Sequence, residues 1–295
     1  MAGPSQAFLD HVATGNTSLC RAWALTRADG TFYGFTDHDR DLVFDTMLFK
    51  ANCGMTARAL QQATGLSVDN TEALGALSDA GLREEDIEAG RFDGADVRCW
   101  LVNWRDVSVR WLQFRGSIGE LRRAGGAFEA ELRGLSEGLN RPLGRIYQKP
   151  CTAVLGDRSC GFDLDTPGYA AERAVEQVEE GRVFFWSDLA GFEPEWFTRG
   201  RLTVLSGAAQ GLWSAIKQDR SDASGRRIEL WEPLRAAIAA GDLVRLEAGC
   251  DKRMETCRLK FNNLLNYRGF PDIPGEDWVM SVPKSTGINT GGSRR

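Results

Sequence analysis

The 295-residue sequence contains only two histidines, His11 and His38, and lacks the patterns by which many enzymes are recognised. It has no serine nucleophile elbow, phosphate-binding glycine loop or dinucleotide-binding fingerprint in a usable context. A cysteine peptidase would need a supporting histidine, and Cys20 with His38 is the one candidate pair. We therefore expect a protein that is not an enzyme.

Long apolar runs are also missing, since no stretch approaches the roughly 20 residues that a membrane-spanning helix needs. The sequence does not begin with a basic segment followed by an apolar one, so we expect no secretory signal and synthesis in the cytoplasm. The net charge is −5. This acidic balance argues against a nucleic-acid-binding protein.

Glycine and tryptophan are abundant, with 33 and 9 residues. Glycine-rich turns between short aromatic and β-branched runs favour strands over long helices, so the sequence predicts a mainly β fold with short helices (α+β). The predicted strands are 21–26, 31–36, 96–104, 117–121, 128–132, 183–186, 201–205, 212–216, 228–231 and 244–246. The predicted short helices are 78–89, 136–147 and 233–240.

The elements group into two β-rich domains. The first is predicted over residues 1–148 and the second over residues 149–280. Residues 281–295 are small, polar and basic without an apolar period, which predicts a flexible tail.

Two further clusters have an ordinary structural explanation. Asp37, His38, Asp39 and Asp41 resemble an acid–base or metal cluster, but the same residues are typical of a polar turn. Four tryptophans of the second domain could offer a stacking surface to single-stranded nucleic acid. They are Trp186, Trp196, Trp213 and Trp231. Packing of these side chains into a β core is the commoner arrangement and agrees with the acidic balance.

Four of the seven cysteines form two local pairs. Cys151 and Cys160 bracket one short polar loop, and Cys250 and Cys257 bracket another. In the reducing cytoplasm such cysteines are buried thiols or metal ligands rather than disulfides. Four thiolates suit tetrahedral zinc or an iron–sulfur cluster, and the spacing leaves zinc, a cluster and structural thiols open.

The other cysteines, Cys20, Cys53 and Cys99, lie beside strand-forming residues. Cys99 stands next to Trp100 in an apolar run, which is typical of an inert core thiol. We therefore expect these three cysteines to be structural.

Several separated motifs, in one order along nearly the whole chain, resemble a family of tailed-phage and gene-transfer-agent proteins. They are GFTDHDRDL (34–42), LSEGLNRPLG (135–144), the two cysteine-bearing segments, and the stretch from CRLKFNN to RGFPDIP (257–274). The family is the baseplate hub at the tail tip of gene transfer agents, and it is similar to the tail tip protein L of lambda-like phages.

This resemblance implies a structural hub built from two β-barrel-like domains, placed at the particle's tail tip. The implied partners are the distal tail protein and the central tip or fibre (megatron-like) protein, with the tail-associated peptidase and the tape-measure protein as further neighbours. A homotrimer is implied, and an acidic lumen would let DNA pass without specific binding.

The resemblance also implies a cofactor, because the lambda-like relative is an iron–sulfur protein with a cysteine-rich C-terminal region. Carried over to this sequence, it assigns a [4Fe–4S] cluster to Cys151, Cys160, Cys250 and Cys257, with zinc as the alternative. The cluster would act as a structural clamp that closes the second domain. The competing interpretations are a zinc-stabilised binding module and a tail-associated hydrolase or redox enzyme.

Overall fold

A computed structural model describes residues 3–51, 70–75, 83–124, 127–135 and 144–273 of the chain. The chain divides into two compact units, residues 1–142 (unit 1) and 143–295 (unit 2). The division falls a few residues before the domain boundary that the sequence predicts at residue 148. Cys53, the glycine turn at 125–126, most of the predicted helix 136–147 and the predicted tail 281–295 lie outside the described residues.

Unit 1 is built on an antiparallel six-stranded sheet in the order β2-β1-β6-β7-β8-β5, with β3 and β4 paired as a separate hairpin. The turn between β1 and β2 contains Asp29 and Gly30: Gly30 adopts a positive φ of 84°, and the Thr31 amide donates to the Asp29 carboxylate. The strands are β1 Leu19–Thr26, β2 Phe32–Thr36, β3 Leu42–Phe44, β4 Met47–Phe49, β5 Asn70–Gly75, β6 Asp96–Asn103, β7 Arg110–Ala124 and β8 Ala127–Gly134.

Both faces of this sheet are covered, and β1 shows why. Trp23 and Leu25 point to one face and pack with Phe92 and Cys99. The alternate residues point to the other face, where Phe49 from the β3–β4 hairpin covers them. Because side chains alternate along a strand, one strand can supply two separate cores.

Two short helices flank the sheet of unit 1. Helix α1 (Gln6–Ala13) begins at Ser5, whose hydroxyl accepts a hydrogen bond from the Phe8 amide. Phe8 is buried and packs on Trp111, so it anchors this N-terminal helix to the sheet. Helix α2 (Glu84–Glu88) lies within the predicted helix 78–89.

Unit 2 is built on an antiparallel seven-stranded sheet in the order β10-β11-β14-β13-β12-β15-β9. Its inner face carries the core of the unit, which includes Phe184, Trp186, Leu202, Ile216 and Leu246. The strands are β9 Ala170–Ala174, β10 Gln177–Glu179, β11 Val183–Trp186, β12 Arg201–Val204, β13 Trp213–Asp222, β14 Gly225–Leu230 and β15 Leu243–Glu247. After β15 the chain forms helix α3 (Met254–Leu259) and a 3-10 helix at Leu264–Asn266.

The prediction of a mainly β fold with few short helices is confirmed. Every predicted strand falls on an observed one. Each main sheet ends at two different edge strands, and the described strands form curled, open sheets and a half-barrel, in line with the predicted barrel-like domains.

The predicted helix at 233–240 is wrong, because this segment is neither helix nor strand. Leu234, Ala236 and Ile238 pack against the core of unit 2, while the residues between them face outward. This period of two overrides the helix propensity of the alanines, since burial contributes more than propensity. Among the described residues, none of the helices has the length and apolar character to cross a membrane.

Candidate metal centre

The four cysteines that the sequence pairs line one cavity in unit 2. Cys151 and Cys160 come from the segment before β9, and Cys250 and Cys257 from the segment after β15. All four are free thiols and partly buried. The pairing of β9 with β15 at one edge of the sheet therefore brings the two cysteine pairs together.

Asp157 shapes the loop between Cys151 and Cys160. Its carboxylate accepts hydrogen bonds from the amide of Cys160 at 2.6 Å and from the amide of Val154 at 2.9 Å. The hydrogen bond from the Cys160 amide is the main reason that the pKa of Asp157 lies below its usual range. The polar loop is thus held in shape by an ionised aspartate, as its turn-forming residues suggest.

The second cysteine pair is placed by a close approach and a reversal of the chain. Gly249, just before Cys250, packs so tightly that a Cβ at this position would collide with the Thr198 carbonyl. Lys252 then adopts a positive φ of 67° and turns the chain towards α3. Cys257 lies on α3 and faces the same cavity as Cys250.

Hydrogen bonds between the two segments hold the pairs together. The amide of Cys151 donates to the Lys252 carbonyl at 2.9 Å, and the Lys252 ammonium donates to the Ala153 carbonyl at 2.5 Å. The Tyr267 hydroxyl donates to the Lys149 carbonyl at 2.6 Å. The protein's own contacts therefore hold the two cysteine-bearing segments side by side.

Three sulfur atoms take part in hydrogen bonds. The Arg268 amide donates to Cys151 Sγ at 3.4 Å, and Asn263 Nδ2 lies 3.5 Å from Cys160 Sγ. The Cys257 thiol donates to the Asn263 carbonyl at 3.3 Å. Amide N–H groups directed at sulfur stabilise thiolates and are typical of the surroundings of cysteine ligands.

The electrostatics of the cavity depend on its contents. Burial raises the pKa of the Cys250 thiol. Burial, and then the neighbouring cysteines 250, 151 and 160, raise the pKa of Cys257 to about 11. Cys250 and Cys257 therefore resist ionisation, because burial and the neighbouring sulfurs disfavour a thiolate at these positions. A bound metal cation would reverse this effect by favouring the thiolate form.

Lys260, at the end of α3, supplies a buried positive charge. Its ammonium donates to the carbonyls of Trp196 at 2.7 Å and Gly249 at 2.9 Å, and it lies 4.1 Å from the centre of the Trp196 ring. Burial lowers the pKa of Lys260, and the nearby Cys250 opposes this shift. A fixed cation here would offset part of the negative charge of ligating thiolates.

The donor set fits a soft metal, but the arrangement is open. Among the described residues, no three cysteine, histidine or acidic side chains lie close enough to hold one metal ion as they stand. A single zinc with sulfur ligands at about 2.3 Å requires all four thiols to converge on one point. The cavity measures about 20 Å³, so an iron–sulfur cluster would require the cysteine loops to move outward.

Two of the remaining cysteines, Cys20 and Cys99, and the histidine cluster have structural surroundings. Cys20 and Cys99 are buried in the two cores of unit 1, in agreement with their predicted role as core thiols. The Asp37 carboxylate accepts a hydrogen bond from the Arg21 amide at 2.6 Å, and His38 Nδ1 accepts one from the Arg40 amide at 3.0 Å. The loop around His38 is thus a hydrogen-bonded turn.

The four tryptophans predicted to pack into the β core divide into two groups. Trp186 is buried in the core and Trp196 packs against it, whereas Trp213 and Trp231 are 61% and 60% exposed. The expectation that these tryptophans pack into the β core is therefore wrong for Trp213 and Trp231. They lie on the outer side of the sheet, next to the cations of Arg201 and Lys217.

Sequence reasoning missed two residues that contact the centre. Lys260 and Asn263 stand in the quoted motif CRLKFNN, yet neither was given a role. Of the basic residues near the cysteines in sequence, Lys252 and Arg253 line the cavity. The useful signal was the pair of asparagines after Cys257, since asparagine in a loop commonly holds neighbouring backbone groups.

Two sequence families match the chain. The family described as baseplate hub protein, N-terminal attachment domain, matches residues 5–163. The family described as phage conserved hypothetical protein BR0599 matches residues 195–277. No curated protein matches the chain. Each cysteine pair lies in a different matched segment, so the cavity combines residues from both.

A solved structure described as the virion of a native gene transfer agent particle contains a similar chain. The two chains are 55% identical and superpose with a TM-score of 0.91. The match covers 98% of this chain and 99% of the other. The likeness therefore extends over both units and the four-cysteine cavity.

Proposed function

The chain belongs to the baseplate hub protein family, and we propose that it is the hub at the tail tip of a gene-transfer-agent or phage-like particle. The observation that carries this proposal is the 55% identity, over 98% of the chain, to a chain of a gene transfer agent virion. A virion component of this kind works by binding other tail proteins, so the proposed role is structural rather than enzymatic.

We place the hub between the distal tail protein and the central tip or fibre protein, as a homotrimer. Two units with separate cores offer two independent attachment surfaces, and the name of the matched family assigns attachment to the N-terminal part. The tape-measure protein and the tail-associated peptidase are the further expected neighbours.

Particle production tests this role. Deleting the gene in a producing strain should give particles without a complete tail tip, and supplying the full chain should restore transfer. Light scattering of the purified chain, alone and with the distal tail protein, should give the mass of three copies. Normal particles without the gene would refute the hub assignment, and a stable monomer with its partner present would refute the trimer.

We further propose that Cys151, Cys160, Cys250 and Cys257 hold a [4Fe–4S] cluster that clamps the two ends of unit 2. Support comes from four partly buried thiols around one cavity and from amide N–H groups directed at two of the sulfurs. When bound, the cluster would supply metal–thiolate bonds, and its iron ions would offset the repulsion between neighbouring thiolates. Zinc is the alternative, with the same four ligands.

Metal analysis of anaerobically purified full chain tests the centre. We expect a brown protein with equal iron and sulfide, whereas a Cys250→Ser variant should be colourless and less stable. The matched control is Cys20→Ser, a buried cysteine of unit 1 that should leave the iron content unchanged. A colourless wild-type protein with one zinc would overturn the cluster and keep the four ligands. A Cys250→Ser variant that keeps its iron would overturn the ligand assignment.

A further inference from the structure

Asn263 contacts one cysteine from each pair. Its side-chain amide donates to the Cys160 carbonyl at 2.7 Å and lies 3.5 Å from Cys160 Sγ. Its backbone amide donates to the Cys257 carbonyl at 3.0 Å, and its own carbonyl accepts from the Cys257 thiol at 3.3 Å. Asn263 is therefore a direct bridge between the segment before the sheet and the segment after it.

The orientation of the Asn263 amide follows from its neighbours. The Cys160 carbonyl can only accept a hydrogen bond, so the group that faces it must be Nδ2. On the other side, Oδ1 accepts from Asn266 Nδ2 at 2.8 Å. Both ends of the amide are satisfied in this orientation, which directs an N–H group towards the Cys160 sulfur.

We propose that Asn263 is a positioning residue of the four-cysteine centre: it fixes Cys160 against Cys257 and donates an N–H···S hydrogen bond to the Cys160 thiolate. This inference rests on the proposed metal centre. It assigns a specific role to a side chain that is not itself a ligand.

The two sulfur contacts of Asn263 respond differently to metal binding. Cys257 donates to the Asn263 carbonyl only while it carries its proton, and that proton leaves to solvent when the sulfur binds a metal. The contact from Nδ2 to Cys160 is instead strengthened, because its acceptor becomes an anion. In the loaded protein Asn263 acts mainly through its side-chain amide.

Two substitutions separate the N–H donor from the rest of the side chain. Asn263→Asp keeps the shape and the acceptor for Asn266, but replaces the donor with a negatively charged oxygen. Asn263→Ala removes both the N–H donor and the acceptor oxygen. The matched control is Asn266→Ala, which removes an amide of the same type that has no hydrogen bond to sulfur.

The readouts are the rate at which anaerobically purified full chain loses iron to a chelator, and the midpoint reduction potential. Contacts of this kind change metal affinity by about 10–100-fold, so we expect both Asn263 variants to lose iron at least ten times faster. The potential of Asn263→Asp should become more negative, because a sulfur loses its hydrogen bond and gains a nearby negative charge. If the wild type holds zinc, zinc release to a chromophoric chelator replaces the iron measurement.

The outcomes distinguish this inference from the proposed function. Wild-type protein with neither iron nor zinc would overturn both. Loaded wild type with unchanged release rates and potential in the Asn263 variants would overturn the inference alone. Faster release in Asn266→Ala than in Asn263→Asp would also overturn it, because general loosening of the loop would then explain the effect.

Discussion

Arg226 and Asp219 form a two-pronged ion pair inside unit 2, with side-chain exposures of 1% and 0%. The guanidinium donates to the two carboxylate oxygens at 2.7 and 2.6 Å, and to the carbonyls of Phe192 and Glu193. The carboxylate also accepts from the Phe197 amide at 2.9 Å. The pair thus ties β13 and β14 to the irregular segment that precedes β12.

Removing one partner of this pair should be costly. Asp219→Ala leaves Arg226 charged and buried, and we expect a loss of about 3–5 kcal/mol in the free energy of unfolding. Urea denaturation followed by tryptophan fluorescence measures this change. The control is Asp222→Ala on the same strand, where an exposed carboxylate should change stability by less than about 1 kcal/mol. Equal losses in both variants would contradict the importance of burial.

Replacing both partners should be milder than removing one. Asp219→Leu with Arg226→Met leaves no unpaired charge, so the double variant should recover much of the stability lost in Asp219→Ala. The same urea titration checks this. A double variant less stable than Asp219→Ala would show that the bonds to Phe192 and Glu193 dominate.

The cysteines should differ in reactivity towards iodoacetamide. In metal-free protein at pH 8, the cavity cysteines are partly exposed to the reagent, while Cys20 and Cys99 are buried. We expect alkylation at the cavity in the native state, and at Cys20 and Cys99 only after unfolding. Peptide mass spectrometry resolves each site. Rapid labelling of Cys99 in folded protein would contradict the structure of unit 1.

Alkaline pH should destabilise unit 1 through Cys20. Burial raises its pKa from 9.0 to about 11, so the folded chain keeps a proton that the unfolded chain releases above pH 9. The stability from this group is fully present below pH 9 and is lost as the pH rises towards 11, by at most about 3 kcal/mol. Urea midpoints measured across this range should fall less steeply in Cys20→Ala than in the wild type. Identical slopes would refute the prediction.

Gly249 is expected to control the position of Cys250. An added Cβ would collide with backbone atoms of Thr198 and Gly200, so Gly249→Ala should cost about 1–3 kcal/mol and lower the metal content. Gly144→Ala is the control, because nothing lies within 4 Å of the added Cβ there. Unfolding midpoints and metal analysis provide the readouts. If Gly249→Ala keeps the metal content of the wild type, the close backbone approach at Gly249 is not needed to position Cys250.

The sequence predicts the strands of this protein better than its helices. Period-two burial in β11 and in β12 is a local property, so the alternation of buried and less buried residues identifies these strands. The segment 233–240 was misread because its alanines favour helix, while the core of unit 2 takes up every second side chain. How far each barrel-like sheet curls depends on contacts distant in sequence, which the local pattern of a single strand does not encode.

The candidate site shows the same division. The two cysteine pairs were visible as spacings, and the fold brings them to one cavity. The supporting residues were not, because Lys260 and Asn263 acquire their roles only when β9 and β15 pair and bring residues 151–160 beside residues 250–270. No local sequence pattern encodes the contact between these two segments.

The hydrogen bonds at the two ends of unit 2 have a mechanical consequence. The Phe270 amide donates to the Gln148 carbonyl at 2.9 Å and the Tyr267 hydroxyl donates to the Lys149 carbonyl, so the segments that lead into and out of the seven-stranded sheet meet at one place. A pull applied through the chain on either side of the unit reaches these bonds and the four-cysteine cavity before it reaches the seven-stranded sheet. The hydrogen bonds between residues 148–149 and residues 267–270 would therefore bear the force first, and the seven-stranded sheet would bear it only after they break.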